Sequence, residues 1–391
     1  MKLQSRYSDR KEYTLEFSTK CIHGSKNDSH TTGAISVPIY QSATYVHPGV
    51  GESTGYDYTR VSNPTRQYLE ETVATLEEGK EALAFATGMA AITTMMELFE
   101  PGDHIIASSD LYGGSIRLFQ SVSKKNGIQF DYIDELNGTN LESVIRANTK
   151  AVYVETPTNP MMHVTDIAEI ASITKKHNLL LIVDNTFLTP YFQKPLKLGA
   201  DIVIHSGTKY LSGHNDTLAG FLVVKDQEIA EKLRYIYKTL GTCLSPFDSW
   251  LIIRGIKTLA VRMERQQESA LILANWLSNH SKVKKVFYVG LPSHPGYSVS
   301  VKQAAGFGSM ISFEVDKEET AKKLLEKVNI ILYAESLGGV ETLMTYPMLQ
   351  THADVPKEER DAKGIHERLL RLSVGLENVK DLIADLEQAF Q

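Results

Sequence analysis

The chain has 391 residues, 42% hydrophobic and 23% charged, a balance suited to a globular protein with a large core and two or three units. Its net charge of −6 gives no basic face for nucleic acid or an anionic membrane. No apolar run approaches the ~20 residues of a membrane span. The polar first twenty residues lack the apolar core of a signal peptide. Cys21 and Cys243 are the two cysteines, far apart and in no metal-ligand spacing. Neither a disulfide framework nor a metal site is expected, and a reducing cytoplasm fits best.

In chain order, residues 1–60 read as irregular, with a turn-forming GVGESTG at 49–55. TRQYLEETVATLEEGK (65–80) has helical apolar spacing at Leu69, Val73 and Leu76, and Gly79 suits the helix end. Six short apolar runs follow: ALAFAT (82–87), HIIASS (104–109), AVYVET (151–156), LLLIVDNT (179–186), DIVIHS (201–206) and GFLVV (220–224). Helical stretches such as DIAEIASITKKHN (166–178) separate most of them. Short runs apolar on both faces, alternating with helices, predict an α/β fold with a mostly parallel sheet. Residues 228–280 read as largely helical; then comes a mixed α+β pattern, with SMISFEV (309–315) as a strand and a closing helix from Val379 to Phe390. The expected units are 1–60, 61–253 and a smaller C-terminal unit, 254–391.

Polar clusters follow five of the runs: Thr87-Gly88-Met89, Asp110-Leu111-Tyr112-Gly113-Gly114, Glu155-Thr156-Pro157-Thr158-Asn159-Pro160, Asp184-Asn185-Thr186 and Ser206-Gly207-Thr208-Lys209. Open α/β sheets bind ligands beyond the carboxyl ends of their strands, so these clusters should meet in one crevice. Gly88 opens a helical pattern, where free N–H groups favour a phosphate. Ser206 and Thr208 add hydroxyls. Neither GxGxxG after a strand nor GxxxxGK[ST] is present, so a small phosphate-bearing cofactor suits better than a nucleotide. Lys209 would form a Schiff base with an aldehyde, Asp184 would face a pyridinium nitrogen, and Tyr112 would stack on the ring. Aldehyde, phosphate and pyridine together are pyridoxal 5′-phosphate. Each cluster alone also reads as an ordinary turn, loop or close contact; their joint placement carries the functional reading.

DIVIHSGTKYLSGHN (201–215), ETPTNP, VDNTF, SDLYGG, AESLGGVE and LLRLSVGLE closely resemble the blocks of the Cys/Met-metabolism family of pyridoxal-phosphate enzymes, from about residue 17 onward. The resemblance implies the type I fold of PLP-dependent transferases. It implies that Lys209 carries the cofactor and shuttles protons, that Asp184 holds the ring nitrogen, and that Tyr112 stacks and is a candidate partner acid or base. Gly88, Met89, Ser206 and Thr208 would hold the phosphate. Asn159 would lie near the ring hydroxyl and the substrate carboxylate. Arg371 would clamp that carboxylate, with Ser336 beside it, and Glu335 would suit a distal ammonium. GYDYTRVSNPT (55–65) matches the block whose tyrosine and arginine reach the neighbouring subunit's phosphate, here Tyr58 and Arg60. That implies an N-terminal arm and a homodimer with shared sites, commonly paired into a tetramer.

Thr87 and Gly207 stand where Ser and Ala are usual in the family, and Gly114 stands where methionine γ-lyases have cysteine. The expected substrates are small amino acids. The stretches GVGESTGYDY, SPFDSW (245–250) and MTYPMLQTHADVP (344–356) most resemble those of bacterial enzymes that join a homoserine ester to cysteine or sulfide, and that resemblance implies γ-replacement on an O-acyl-homoserine, the cystathionine γ-synthase reaction. Elimination from cystathionine by a γ- or β-lyase is the alternative. Ser206-Gly207-Thr208-Lys209 also fits the SxxK of serine hydrolases, but the KTG element is missing. A cofactor-free binding protein is disfavoured by the presence of Lys209, Asp184 and Arg371 together.

Overall fold

The computed structural model describes residues 15–24, 33–353 and 357–391. Residues 1–14, 25–32 and 354–356 lie outside it, and with them parts of the expected N-terminal arm and the end of the MTYPMLQTHADVP stretch.

Seven strands make the larger sheet: β1 (Glu81–Phe85), β2 (His104–Ser108), β3 (Gln129–Ile133), β4 (Thr149–Glu155), β5 (Leu180–Asp184), β6 (Ile202–Ser206) and β7 (Gly220–Val224). Their order is β1-β7-β6-β5-β4-β2-β3. Strands β2 to β6 run parallel, whereas β7 runs antiparallel to both β1 and β6. The carboxyl ends of β1 to β6 therefore share one edge of the sheet, and β7 starts there. Successive side chains point to opposite faces. Val152, Val154, Leu181, Val183, Val203 and Val223 pack into one core. Ala151, Tyr153, Ile182, Ile202, Ile204 and Leu222 pack into the other. Burial on both faces is why these strands are apolar throughout. The edge strand β3 was not among the expected runs; its Gln129 and Asp131 break the apolar pattern because an edge strand need not be buried on both faces.

The helix Pro64–Glu77 starts where the Asn63 side chain accepts the N–H groups of Thr65 and Arg66, with Pro64 in the first turn. The left-handed residue at its end is Glu78, with φ 61°, and not Gly79. Gly79 is required for space: a β-carbon there would lie 2.5 Å from Val223 Cγ1. The segment expected to be irregular contains the helix Phe17–His23, docked through buried Cys21 and an edge-on contact of Phe17 with Tyr191 at 5.2 Å.

A second sheet holds β8 (Val283–Phe287), β9 (Met310–Val315), β10 (Leu332–Tyr333), β11 (Leu343–Thr345) and β12 (Leu369–Ser373), in the order β10-β11-β12-β9-β8. Ile311, Phe313, Leu370 and Leu372 pack under Leu273 and Leu277 of the helix Leu259–Ser278 and under Leu382 and Leu386 of the helix Val379–Phe390. Residue 253 lies inside the helix Pro246–Ile256. Among the described residues no helix is long and apolar enough to cross a membrane.

Candidate active site

At the end of β6 the chain turns tightly, with the Lys209 N–H donating to the Ser206 carbonyl at 3.2 Å. This turn aims the side chain across to the smaller sheet, where Lys209 Nζ donates to Ser336 Oγ at 2.8 Å. Burial, reinforced by the nearby Arg371 cation, brings the amine down to about 8, against the pull of Glu335. A lysine tuned in this way is neutral often enough near neutral pH to act as a nucleophile and base.

Beside it, the helix Gly88–Met96 points its N-terminus into the crevice. Thr87 caps it, accepting the Ala90 N–H at 2.9 Å. The N–H groups of Gly88 and Met89 have no acceptor among the described residues. A β-carbon on Gly88 would lie 3.4 Å from Ser206 Oγ, so this hydroxyl faces the same small space. The Thr208 hydroxyl is already tied to Ala219, accepting its N–H at 3.0 Å. Gly220, at the start of β7, has no room for a side chain: a β-carbon would collide with the Thr87 carbonyl.

Asp184 ends β5. Its Oδ1 accepts both the N–H and the hydroxyl of Thr186, at 3.0 and 2.6 Å. Its Oδ2 has no partner among the described residues. Burial raises this carboxyl above the ordinary aspartate range, against those two hydrogen bonds and the nearby His205. Tyr112 follows β2 with its ring partly exposed, and its N–H donates to Glu155 Oε2 at 2.8 Å.

Arg371 sits in mid-strand on β12 and is 1% exposed. Nη1 donates to Asn159 Oδ1 at 2.8 Å, and Nη2 donates to the Ser336 carbonyl at 2.8 Å and to Thr345 Oγ1 at 3.0 Å. Nε is buried without a partner. Among the described residues no carboxylate pairs with this guanidinium. Burial lowers it to about 10. A buried cation with an unfilled donor is costly unless an anion completes it. Ser336, which touches both Lys209 and Arg371, holds a φ of 91°, a strained value for a residue with a side chain. Glu335 is exposed next to it.

Lys209, Ser336, Arg371 and Asn159 thus form one connected cluster. Gly88, Met89 and Ser206 form a second, joined to Asp184 through Thr186, whose hydroxyl also accepts the Ser206 N–H at 2.9 Å. Tyr58 and Arg60 are not brought to either. Tyr58 is 47% exposed with the Arg60 guanidinium over its ring, and Arg60 donates to the Lys238 carbonyl.

Thr87 keeps the hydroxyl its position needs. Gly207 has a local reason, since a β-carbon there would lie 2.5 Å from the Phe221 ring. At Gly114 a β-carbon would collide with the Tyr112 ring. Sequence reasoning missed Thr186 and Thr345 as partners. The Asp-x-Thr spacing of Asp184 and Thr186 is an Asx-turn signal that could have found the first.

Pyridoxal phosphate fits this donor set. Its phosphate would find free helix N–H groups and a hydroxyl. Its ring nitrogen would meet the spare oxygen of Asp184, and its aldehyde would meet an amine of lowered basicity.

Comparison with known proteins agrees. Residues 18–391 match the family model described as Cys/Met metabolism PLP-dependent enzyme. The chain is 52% identical over 371 residues to a cystathionine gamma-synthase/O-acetylhomoserine (thiol)-lyase of Bacillus subtilis, covering 95% of each chain. It is 48% identical over 373 residues to a cystathionine beta-lyase of Lactococcus lactis subsp. cremoris, covering 95% of this chain and 98% of that one. The solved structure of a cystathionine gamma-lyase from Lactobacillus plantarum with L-serine superposes with a TM-score of 0.94 at 45% identity, over 96% of this chain and 98% of that one. The chain belongs to the Cys/Met-metabolism family of pyridoxal-phosphate-dependent enzymes, and its cofactor is pyridoxal phosphate.

Proposed function

We propose that this enzyme carries out γ-replacement, joining an O-acyl-homoserine to cysteine or sulfide, as a cystathionine γ-synthase does. The observation that carries the reading is the Arg371–Lys209–Glu335 arrangement. A buried, carboxylate-free guanidinium suits the α-carboxylate, a tuned amine lies near the adjacent carbons, and an exposed carboxylate at the rim suits the distal amino group of a long product. The Bacillus subtilis relative at 52% identity, a synthase and thiol-lyase, supports the same choice. Relatives named as lyases at 48% identity over nearly their whole length favour a second reading, elimination from cystathionine.

Bound pyridoxal phosphate would supply an aldehyde for the substrate amine and a ring able to accept an electron pair from Cα. Arg371 holds the α-carboxylate in a planar fork, and Asn159 fixes the fork's angle. Lys209 would take the Cα proton and pass it on before taking a Cβ proton, so that the γ-acyloxy group can leave as a carboxylate; the thiol would give up its proton to that carboxylate as its sulfur bonds Cγ, and Lys209 would return one proton to Cβ and one to Cα. Tyr112, whose ring is partly exposed at the end of β2, would help with those transfers. Asp184 would hold the ring nitrogen, and the Gly88 and Met89 N–H groups with the Ser206 hydroxyl would hold the phosphate; the Thr208 hydroxyl, expected there as well, is tied to Ala219 instead.

Tyr58 and Arg60 serve the site of a second copy of the chain, which makes a homodimer the working unit and leaves pairing into a tetramer open. Their exposure, and that of Ile35, Val46 and Val50 on the same segment, supports this reading.

A product assay tests the reaction. O-acetylhomoserine with cysteine should give cystathionine, and cystathionine alone should give little keto acid. Rapid 2-oxobutyrate or pyruvate from cystathionine alone would replace the synthase by a γ- or β-lyase. Mixing Tyr58→Phe with Lys209→Ala protein tests sharing: activity regained in the mixture supports two-chain sites, and none regained counts against them.

A further inference from the structure

Glu155 lies at the carboxyl end of β4 and has no part in the roles above. Its carboxyl sits directly beside Asp184, because Glu155 and Asp184 are register partners on neighbouring parallel strands. It is 6% exposed. Glu155 Oε2 accepts the Tyr112 N–H at 2.8 Å, and the Asn159 N–H also faces the carboxyl. Tyr112 and Asn159 are the residues that the family resemblance assigns to the ring face and to the ring-hydroxyl side. One buried group therefore reaches the backbone of both.

We propose that Glu155 is a positioning residue that works as a neutral acid: it fixes Tyr112 and Asn159 around the cofactor while leaving Asp184 as the charge opposite the ring nitrogen. The inference rests on the cofactor site described above. The charged and titratable groups around Glu155 favour the neutral form. Asp184 faces it from β5, Asp110 from the end of β2, and Tyr153 from its own strand; the cation of the neighbourhood is Arg371 on β12. Two carboxylates set side by side in low dielectric do not both ionise readily. Burial first, and then Asp184, push the Glu155 carboxyl well above the usual glutamate range. Asp184, with two Thr186 donors and the nearby His205, is the better placed of the two to keep the charge.

The test uses full-length protein stripped of cofactor and titrated with pyridoxal phosphate, read by visible absorbance and visible circular dichroism. Glu155→Ala should weaken cofactor affinity at least about tenfold, the change that ~1.4 kcal/mol makes, and should shrink the dichroism that reports a fixed ring. Glu155→Gln keeps an acceptor oxygen and the neutral state. It should hold affinity to within about threefold and leave the pH midpoint of the visible band where the wild type has it. Wild-type affinity and dichroism in Glu155→Ala would overturn the proposal. So would a midpoint in Glu155→Gln displaced by a full pH unit, which would mean that a charge had been lost. Should Glu155→Ala fail to fold, the Glu155→Gln midpoint decides. Wild-type protein that takes up no cofactor would remove the site reading itself, a failure distinct from that of Glu155.

Discussion

Arg262 and Arg371 are both buried, at 2% and 1% exposure, and burial lowers both to about 10. Among the described residues neither pairs with a carboxylate. Arg262 nevertheless fills every nitrogen: Nε donates to Thr258 Oγ1, Nη1 to the Tyr210 carbonyl and Nη2 to the Gly255 carbonyl, at 3.0, 2.7 and 2.8 Å. Arg371 leaves Nε empty. The first ties the helix Leu259–Ser278 to the turn after Lys209 and is architecture. The second is tied on one side and lacks a partner on the other, as a binding site requires. Burial and charge do not separate the two; the count of satisfied donors does.

The largest expected effect tests this contrast directly. Arg371→Ala should cut kcat/KM by about 10²–10³-fold, since a buried charged partner is worth ~2–5 kcal/mol to an ionic ligand. Its unfolding free energy in urea should fall by less than ~1.5 kcal/mol, because an incompletely paired buried cation is also removed. Arg262→Ala should do the reverse and lose more, ~2–4 kcal/mol of stability, since it strips donors from two buried carbonyls, those of Tyr210 and Gly255. Equal stability losses in the two variants would break the comparison.

Arg371→Lys sharpens it. The charge stays, but the fork that bonds Asn159, Ser336 and Thr345 is lost. The expected result is a loss of about 10- to 100-fold in kcat/KM, mostly as a higher KM for the amino-acid substrate. A fall in kcat alone would point away from carboxylate binding.

Next in size is Gly220→Ala. A β-carbon there meets backbone, the Thr87 carbonyl and Gly88, so the helix proposed to hold the phosphate must shift. Overpacking of this kind costs ~1–3 kcal/mol. Part of that loss should appear as weaker pyridoxal-phosphate binding in a titration of cofactor-stripped protein. Intact binding would separate Gly220 from the phosphate cradle.

These residues were unequally visible in the sequence. The strands of the larger sheet announce themselves as runs apolar on both faces, and the polar clusters after them point to one edge by topology alone. The edge strand β3 hides because half its surface meets water. Arg371 is harder still. It stands 212 residues from Asn159, its hydrogen-bond partner, and nothing in local periodicity links the two. The apolar run around it says only that an arginine sits in a buried strand. Family resemblance, and not pattern, singled it out. Glu155 is legible only as the first residue of a polar cluster at a strand end, because its meaning depends on Asp184 standing beside it on the next strand.

The smallest effect ties the two arginines to Lys209. Its amine is brought to about 8 from the usual 10.5, first by burial and then by Arg371. A lysine lowered in the fold disfavours its own proton there. Below about pH 8 the native and unfolded chains both carry that proton, and stability bears the full cost. Between about 8 and 10.5 the unfolded chain holds it and the native chain does not, so stability should rise with pH across that window. The rate at which cofactor-stripped protein captures pyridoxal phosphate should follow the neutral amine and level off above about pH 8. In Arg371→Ala this midpoint should move upward by a fraction of a pH unit, the smaller part of the shift, because burial remains. In Arg262→Ala it should stay in place, since Arg262 is not among the charges that act on this amine. Equal movement in both variants would mean that the midpoint reports loosened packing and not the cation beside the amine.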